Sequence, residues 1–103
     1  MPLTSKQRAQ LRGMAMNAET IIQIGKGGIT DSVIASVSDA LRARELVKGK
    51  VLESSMLTAK EACQTLAEAC RAEPVQFIGT KFVLYKRNEK EPVIEFVKES
   101  KRK

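Results

Sequence analysis

Ile21-Ile22-Gln23-Ile24-Gly25-Lys26-Gly27-Gly28-Ile29-Thr30 is the stretch that sets the fold, because it joins a short apolar run to a glycine-rich loop holding one lysine. Ile21, Ile22 and Ile24 read as a buried strand. Three glycines within positions 25–28 remove every Cβ except that of Lys26, so the loop backbone can lie directly against a ligand. A helical pattern starts a few residues later. The amides of Gly27, Gly28 and Ile29 are therefore expected among the unpaired donors of a helix N-terminus, where phosphate is favoured. Lys26 adds a full positive charge. The alternative is a tight strand-to-helix connection with no ligand.

Two familiar phosphate loops do not fit. The dinucleotide pattern G-x-G-x-x-G needs a glycine where Thr30 stands, and the P-loop pattern G-x-x-x-x-G-K-[ST] is absent. What remains is G-x-x-G, the pattern with which KH modules clamp a nucleic-acid backbone. Here it joins a strand to a helix instead of two helices, so KH contact geometry does not transfer.

With 103 residues and 43% hydrophobic content, the chain fits one domain with a modest core. No apolar run is long enough to span a membrane and the N-terminus lacks a signal-peptide block, so the expectation is a soluble, cytoplasmic protein. Lys and Arg outnumber Asp and Glu by 18 to 12, a net charge of +6 and a pI near 9.6, which favours a polyanionic partner. Histidine is absent, removing the commonest general base and metal ligand. Cys63 and Cys70 share a helical face about 10 Å apart by helical rise, too far for a disulfide, and read as reduced core residues. No nucleophile–base pair or metal-ligand cluster is visible, so no enzyme activity, metal or cofactor is expected.

Further along, Thr4 or Ser5 can cap a first helix to about Met16, with Leu11, Met14 and Ala15 on one arc and Arg8 and Arg12 beside it. Thr30 or Asp31 starts a second helix whose apolar arc is Val33, Ile34, Val37, Ala40 and Leu41. Residues 45–52 read as a strand with Lys48 and Lys50 on one face, either basic contacts or guards of a sheet edge. Gly49 marks a bulge or a close backbone approach. Thr58 and Glu61 form a capping box for a third helix, with Ala59, Ala62, Cys63, Leu66, Ala69 and Cys70 inward. Pro74 closes the helical region. Residues 75–78 and 82–85 then form a hairpin around Gly79 and Thr80, with Tyr85 packed on the sheet. The fold class is α/β, in the order α-β-α-β-α-β-β, with a four-stranded mixed sheet and helices packed on it.

Beyond Asn88 the chain is highly charged. Residues 92–97 can add a short strand, and 98–103 read as a basic, disordered tail after a domain spanning 1–97.

The residues resemble a known family. Thr4-Ser5-Lys6-Gln7-Arg8 with Leu11-Arg12, the stretch 22–30, Glu45-Leu46-Val47-Lys48, and Ile78-Gly79 with Lys81-Phe82-Val83-Leu84-Tyr85 are similar to the YhbY-type CRM domain, a bacterial stand-alone form of a module also found in plant organellar splicing factors. The resemblance implies an RNA-binding domain with a fold like the C-terminal domain of a bacterial translation initiation factor. It further implies a role in assembly of the large ribosomal subunit, on ribosomal RNA in its precursors. The loop Gly25, Lys26, Gly27 and Gly28 is the implied RNA contact, joined by Lys6, Arg8, Arg12, Lys48 and Lys81. Lys50, Lys86 and Arg87 extend this basic set. Where the family often has arginine, after the hairpin glycine and after the tyrosine, this chain has Thr80 and Lys86. No membrane or small-molecule partner is expected, and the free protein is expected to be a monomer. The competing reading is a protein-interaction adaptor on a ribosomal protein or GTPase, its basic faces serving solubility.

Overall fold

The computed structural model describes residues 3–88, in which seven elements follow one another: α1 (Ser5–Met16), β1 (Thr20–Ile24), α2 (Asp31–Arg44), β2 (Leu46–Val51), α3 (Ala59–Cys70), β3 (Glu73–Ile78) and β4 (Lys81–Tyr85). The strand expected at 92–97 and the tail at 98–103 lie outside the described residues.

Each helix starts where a threonine can take a backbone donor. The Gln7 N–H donates to Thr4 Oγ1 at 3.1 Å and the Thr4 N–H to Gln7 Oε1 at 3.0 Å, a reciprocal box that opens α1. Thr30 Oγ1 accepts from the Val33 N–H at 3.2 Å to open α2. Thr58 and Glu61 repeat the box at α3, at 2.9 and 3.1 Å. The inward stripe of α3 includes Ala67, while Ala69 faces solvent. The two alanines flank the same arc, and only the position of the sheet decides between them. Termination of α3 also differs from expectation. It ends at Arg71 in the left-handed region (φ 57, ψ 42), and Pro74 lies inside β3. Proline is tolerated there because β3 is an edge strand.

The sheet order is β1-β2-β4-β3, with β1 and β2 parallel and β4 antiparallel to both β2 and β3. The crossover through α3 thus skips one position, which β4 fills. Helices α2 and α3 cover one face, burying Val37, Leu41 and Leu66 against Ile24, Val47, Phe82 and Leu84. Helix α1 crosses the other face, where Leu11 and Ala15 pack on Val75, Val83 and Tyr85.

Strand β2 is central, so Lys48 and Lys50 guard no sheet edge. Of the two readings of Gly49, a bulge or a close approach, the structure shows the close approach. The glycine lies opposite Phe82 in the ladder, and the ring occupies the space a side chain would need. The bulge falls instead on β1, where the register slips between Thr20 and Ile22. The strand read as 45–52 opens one residue later, because Glu45 ends α2 with φ 65, fully buried. Its carboxylate accepts from the Asn88 N–H at 2.6 Å.

Strands β1, β2 and β3 all run the same way, so three connections gather at one end of the sheet: the glycine loop after β1, residues 52–58 after β2, and the hairpin turn at Gly79-Thr80. Two hydrogen bonds tie them together, Leu52 N–H to Ile24 O at 2.8 Å and Val51 N–H to Thr80 O at 2.7 Å. Both α2 and α3 begin at this end, adding their positive dipole ends.

Candidate nucleic-acid interface

The glycine loop is a closed β-turn. The Gly28 N–H donates to the Gly25 carbonyl at 3.0 Å, leaving Lys26 and Gly27 at the exposed corners. Gly28 follows with φ +72, a conformation that favours glycine. One sequence expectation is corrected here: the Gly28 amide is consumed inside the turn and is no ligand donor. The amides of Gly27 and Ile29 make no hydrogen bond among the described residues. A Cβ built at Gly27 would meet nothing within 4 Å, so the outer surface of the turn is open. Its inner side is seated, with Leu52 Cδ1 3.6 Å and Ser54 Oγ 3.7 Å from a Cβ position at Gly25.

On the face of the sheet that carries α1, no described element covers the part beside the turn. There the register sets Gln23 next to Lys50, Lys50 next to Lys81, and Lys81 next to Ile78, one row across all four strands. Two lysines directly opposed on neighbouring strands repel, a cost of up to about 1 kcal/mol that a polyanion would reverse. Among the described residues, Arg42 pairs with Asp39 at 3.2 Å, both exposed, while Lys26, Lys50 and Lys81 have no acidic partner.

The remaining basic positions divide. Arg8 is half-buried and donates through Nη1 to the Pro74 carbonyl, tying α1 to β3. Lys48 donates through Nζ to the Ala15 carbonyl at 3.0 Å, capping the C-terminal end of α1. Both charges serve to hold α1 on the sheet. Lys6 and Arg12 are exposed along α1. Lys86 and Arg87 follow the far end of β4, where the Lys86 N–H donates to the Glu45 carbonyl at 2.9 Å. They belong to the end of the sheet opposite the turn. The structure thus gathers Gly25, Lys26, Gly27, Gly28, Lys50 and Lys81, and places Lys6, Arg8, Arg12, Lys86 and Arg87 apart from them.

Sequence reasoning overlooked the neutral members of this surface. Gln23, Gln76 and Ile78 share the face that carries α1, and Met16 lies at its rim. Only the strand pairing, a non-local property, reveals them. Cys63 and Cys70 are buried and free. Burial pushes the Cys63 thiol up to about 11 and raises Cys70 as well, so neither is an activated nucleophile. Among the described residues no group of three or more His, Cys, Asp or Glu side chains is arranged to hold a metal, and no helix is long and apolar enough to cross a membrane.

Comparison with known proteins places this geometry in a family. The sequence profile of the CRS1 / YhbY (CRM) domain matches residues 3–86, nearly all of the described structure. A Bacillus subtilis protein named "Probable RNA-binding protein YqeI" is 39% identical over 93 residues, covering 90% of this chain and 97% of that one. A Haemophilus influenzae protein named "RNA-binding protein" is 32% identical over 87 residues, covering 84% of this chain and 88% of the other. Among solved structures, the solution structure of a hypothetical protein from Staphylococcus aureus matches with a TM-score of 0.76 and 43% identity, over 93% of this chain and all of that one. With a profile spanning the folded region and relatives of this likeness, the chain belongs to the CRS1 / YhbY (CRM) domain family.

Proposed function

We propose that this protein binds RNA by its sugar-phosphate backbone, at the sheet end formed by the Gly25–Gly28 turn, Lys50 and Lys81, and that its RNA is ribosomal RNA in precursors of the large subunit. The observation behind the contact is the turn itself, which presents the amides of Gly27 and Ile29 and an exposed Lys26, all without a partner among the described residues. Such a cluster of amides and ammonium suits one phosphate, and Lys50 and Lys81 continue the positive track across the sheet. Family membership and the names of the relatives support RNA as the polymer. The ribosomal assignment follows from the family resemblance.

The chain carries little base-stacking equipment, with Phe77 the one large aromatic that is exposed among the described residues, and that on the helix-covered face. Affinity is therefore mostly electrostatic and steeply salt-dependent. The binding unit is the single folded chain, cytoplasmic and without catalytic turnover. The test is co-sedimentation of the folded Lys26→Glu variant with ribosomal particles. Loss of the protein from large-subunit precursor fractions is the expected result. Unchanged sedimentation and unchanged RNA affinity would instead favour an adaptor bound to a ribosomal protein or GTPase.

A further inference from the structure

The part of the sheet that no described element covers holds a second feature, distinct from the glycine turn. Between the C-terminal end of α1 and the β3–β4 hairpin lies a cavity of about 180 Å³. Its walls are of two kinds. Met16 and Ile78 supply exposed apolar surface at the mouth, 79% and 69% accessible, and Ala15 and Val83 form an apolar floor. Gln76 and Lys81 supply polar groups from neighbouring strands, and Lys48 is held at the floor by the Ala15 carbonyl.

We propose that this cavity receives one unpaired base of the bound RNA, so that the protein takes single-stranded or looped RNA in preference to a duplex. The proposal rests on the backbone-binding reading above and extends it. Three observations carry it. First, Lys50 joins the cavity to the turn: the row Gln23-Lys50-Lys81-Ile78 runs from β1 to β3, and β1 and β4 are two strand spacings apart, about 10 Å. A strand whose phosphate sits on the turn passes over Lys50 and reaches the cavity without leaving the sheet. Second, the lining matches a base and not a phosphate. Apolar surface from Met16 and Ile78 can meet a ring face, with the pliable thioether side chain adapting to different rings, while the Gln76 amide offers a donor and an acceptor to a base edge. Third, two large apolar side chains are left exposed beside two lysines, an arrangement that water serves poorly and an amphipathic nucleotide serves well. A base locked in a helix cannot enter, because reaching the cavity requires it to leave its stack.

The experiment compares short single-stranded oligoadenylate with the same backbone carrying internal abasic sites, and with an A·U duplex of equal length. Wild-type protein, Ile78→Ser, Met16→Ser and Lys26→Glu are each titrated by fluorescence anisotropy. Ile78 and Met16 are exposed, so both serine variants keep the fold, which circular dichroism checks. The wild type is expected to bind the intact strand about fivefold tighter than the abasic one, as burial of roughly 40 Å² of apolar base surface gives, and tighter than the duplex. Both serine variants remove that ratio while leaving affinity for the abasic strand unchanged. Lys26→Glu weakens all three ligands alike and keeps the ratio. Equal binding of intact and abasic strands by the wild type, or equal loss for both in the serine variants, overturns the base site and leaves backbone binding standing. A preserved ratio together with an unaffected Lys26→Glu variant supports the cavity while rejecting the turn as the phosphate contact.

Discussion

Phe82 lies across Gly49, so that a Cβ added at Gly49 would stand 2.2 Å from Cζ of the ring and 2.6 Å from Cε1. The ring is fully buried between the sheet and its helices, with no room to retreat. Glycine in a central strand is ordinarily a weakness. Here it makes space for Phe82, the largest of the fully buried side chains. Gly49→Ala is therefore expected to destabilise the domain by about 3 kcal/mol, the upper part of the overpacking range. Urea denaturation would show it as a lower midpoint at unchanged slope. Gly49→Ala with Phe82→Leu is expected to recover part of the loss, because the smaller side chain vacates the space.

Arg71 closes α3 in the left-handed conformation, with no acidic partner among the described residues. Glycine occupies such a position without the Cβ penalty. Arg71→Gly is expected to raise stability by about 0.5–1 kcal/mol. It follows the end of α3 remote from the turn, so RNA affinity should stay within about twofold despite the lost charge, a factor worth only about 0.4 kcal/mol. A thermal melt and a binding titration check the two halves separately.

Lys48 and Lys50 are separated by one residue, yet the structure gives them different work. Lys48 caps α1 through the Ala15 carbonyl, and Lys50 stands opposite Lys81 with no ion-pair partner among the described residues. Lys48→Met is expected to cost about 1 kcal/mol of stability and to leave the salt dependence of RNA binding unchanged. Lys50→Met is expected to leave stability equal or slightly raised, as like-charge repulsion is removed, and to flatten the salt dependence. Measuring both quantities on both variants separates a structural from a contacting lysine.

Burial holds the Cys63 thiol at about 11 against an ordinary value of 9.0. The sign follows from proton counting. Above pH 9.0 the unfolded chain releases the proton while the folded chain keeps it, so the folded state binds more protons and stability falls with rising pH. This contribution is fully present below pH 9.0 and is lost as pH climbs toward about 11. Cys63→Ala is expected to flatten the pH–stability curve in that window, at the cost of a small cavity. Chemical denaturation at a series of alkaline pH values would reveal the difference in slope.

Much of the architecture was legible in the chain because it is locally encoded. The Thr58–Glu61 box, the apolar arc from Val33 to Leu41, and the hairpin around Gly79 each depend on neighbours within a few residues. The glycine turn was legible for the same reason. What escaped is non-local. That β4 inserts between β2 and β3, that Lys48 is tied to α1 thirty-three residues earlier, and that Gln76 and Ile78 share a face with Lys81 are consequences of pairing. No periodicity encodes them. Glu45 is the sharpest case: a charged residue read as the first of a strand is a fully buried helix end with φ 65, its carboxylate bonded to the Asn88 amide. A polar side chain is stable inside only when it is hydrogen-bonded, and the Asn88 amide that bonds this one lies forty-three residues further along the chain.

Lys26, on the Gly25–Gly28 turn, is the residue proposed to neutralise a phosphate of bound RNA. The most direct measurement is the salt dependence of affinity for a single-stranded ribosomal RNA segment, compared between wild type and folded Lys26→Ala. Loss of one phosphate contact predicts weaker binding and a slope of log K against log salt shallower by about 0.7. An unchanged slope, at unchanged affinity, would contradict it.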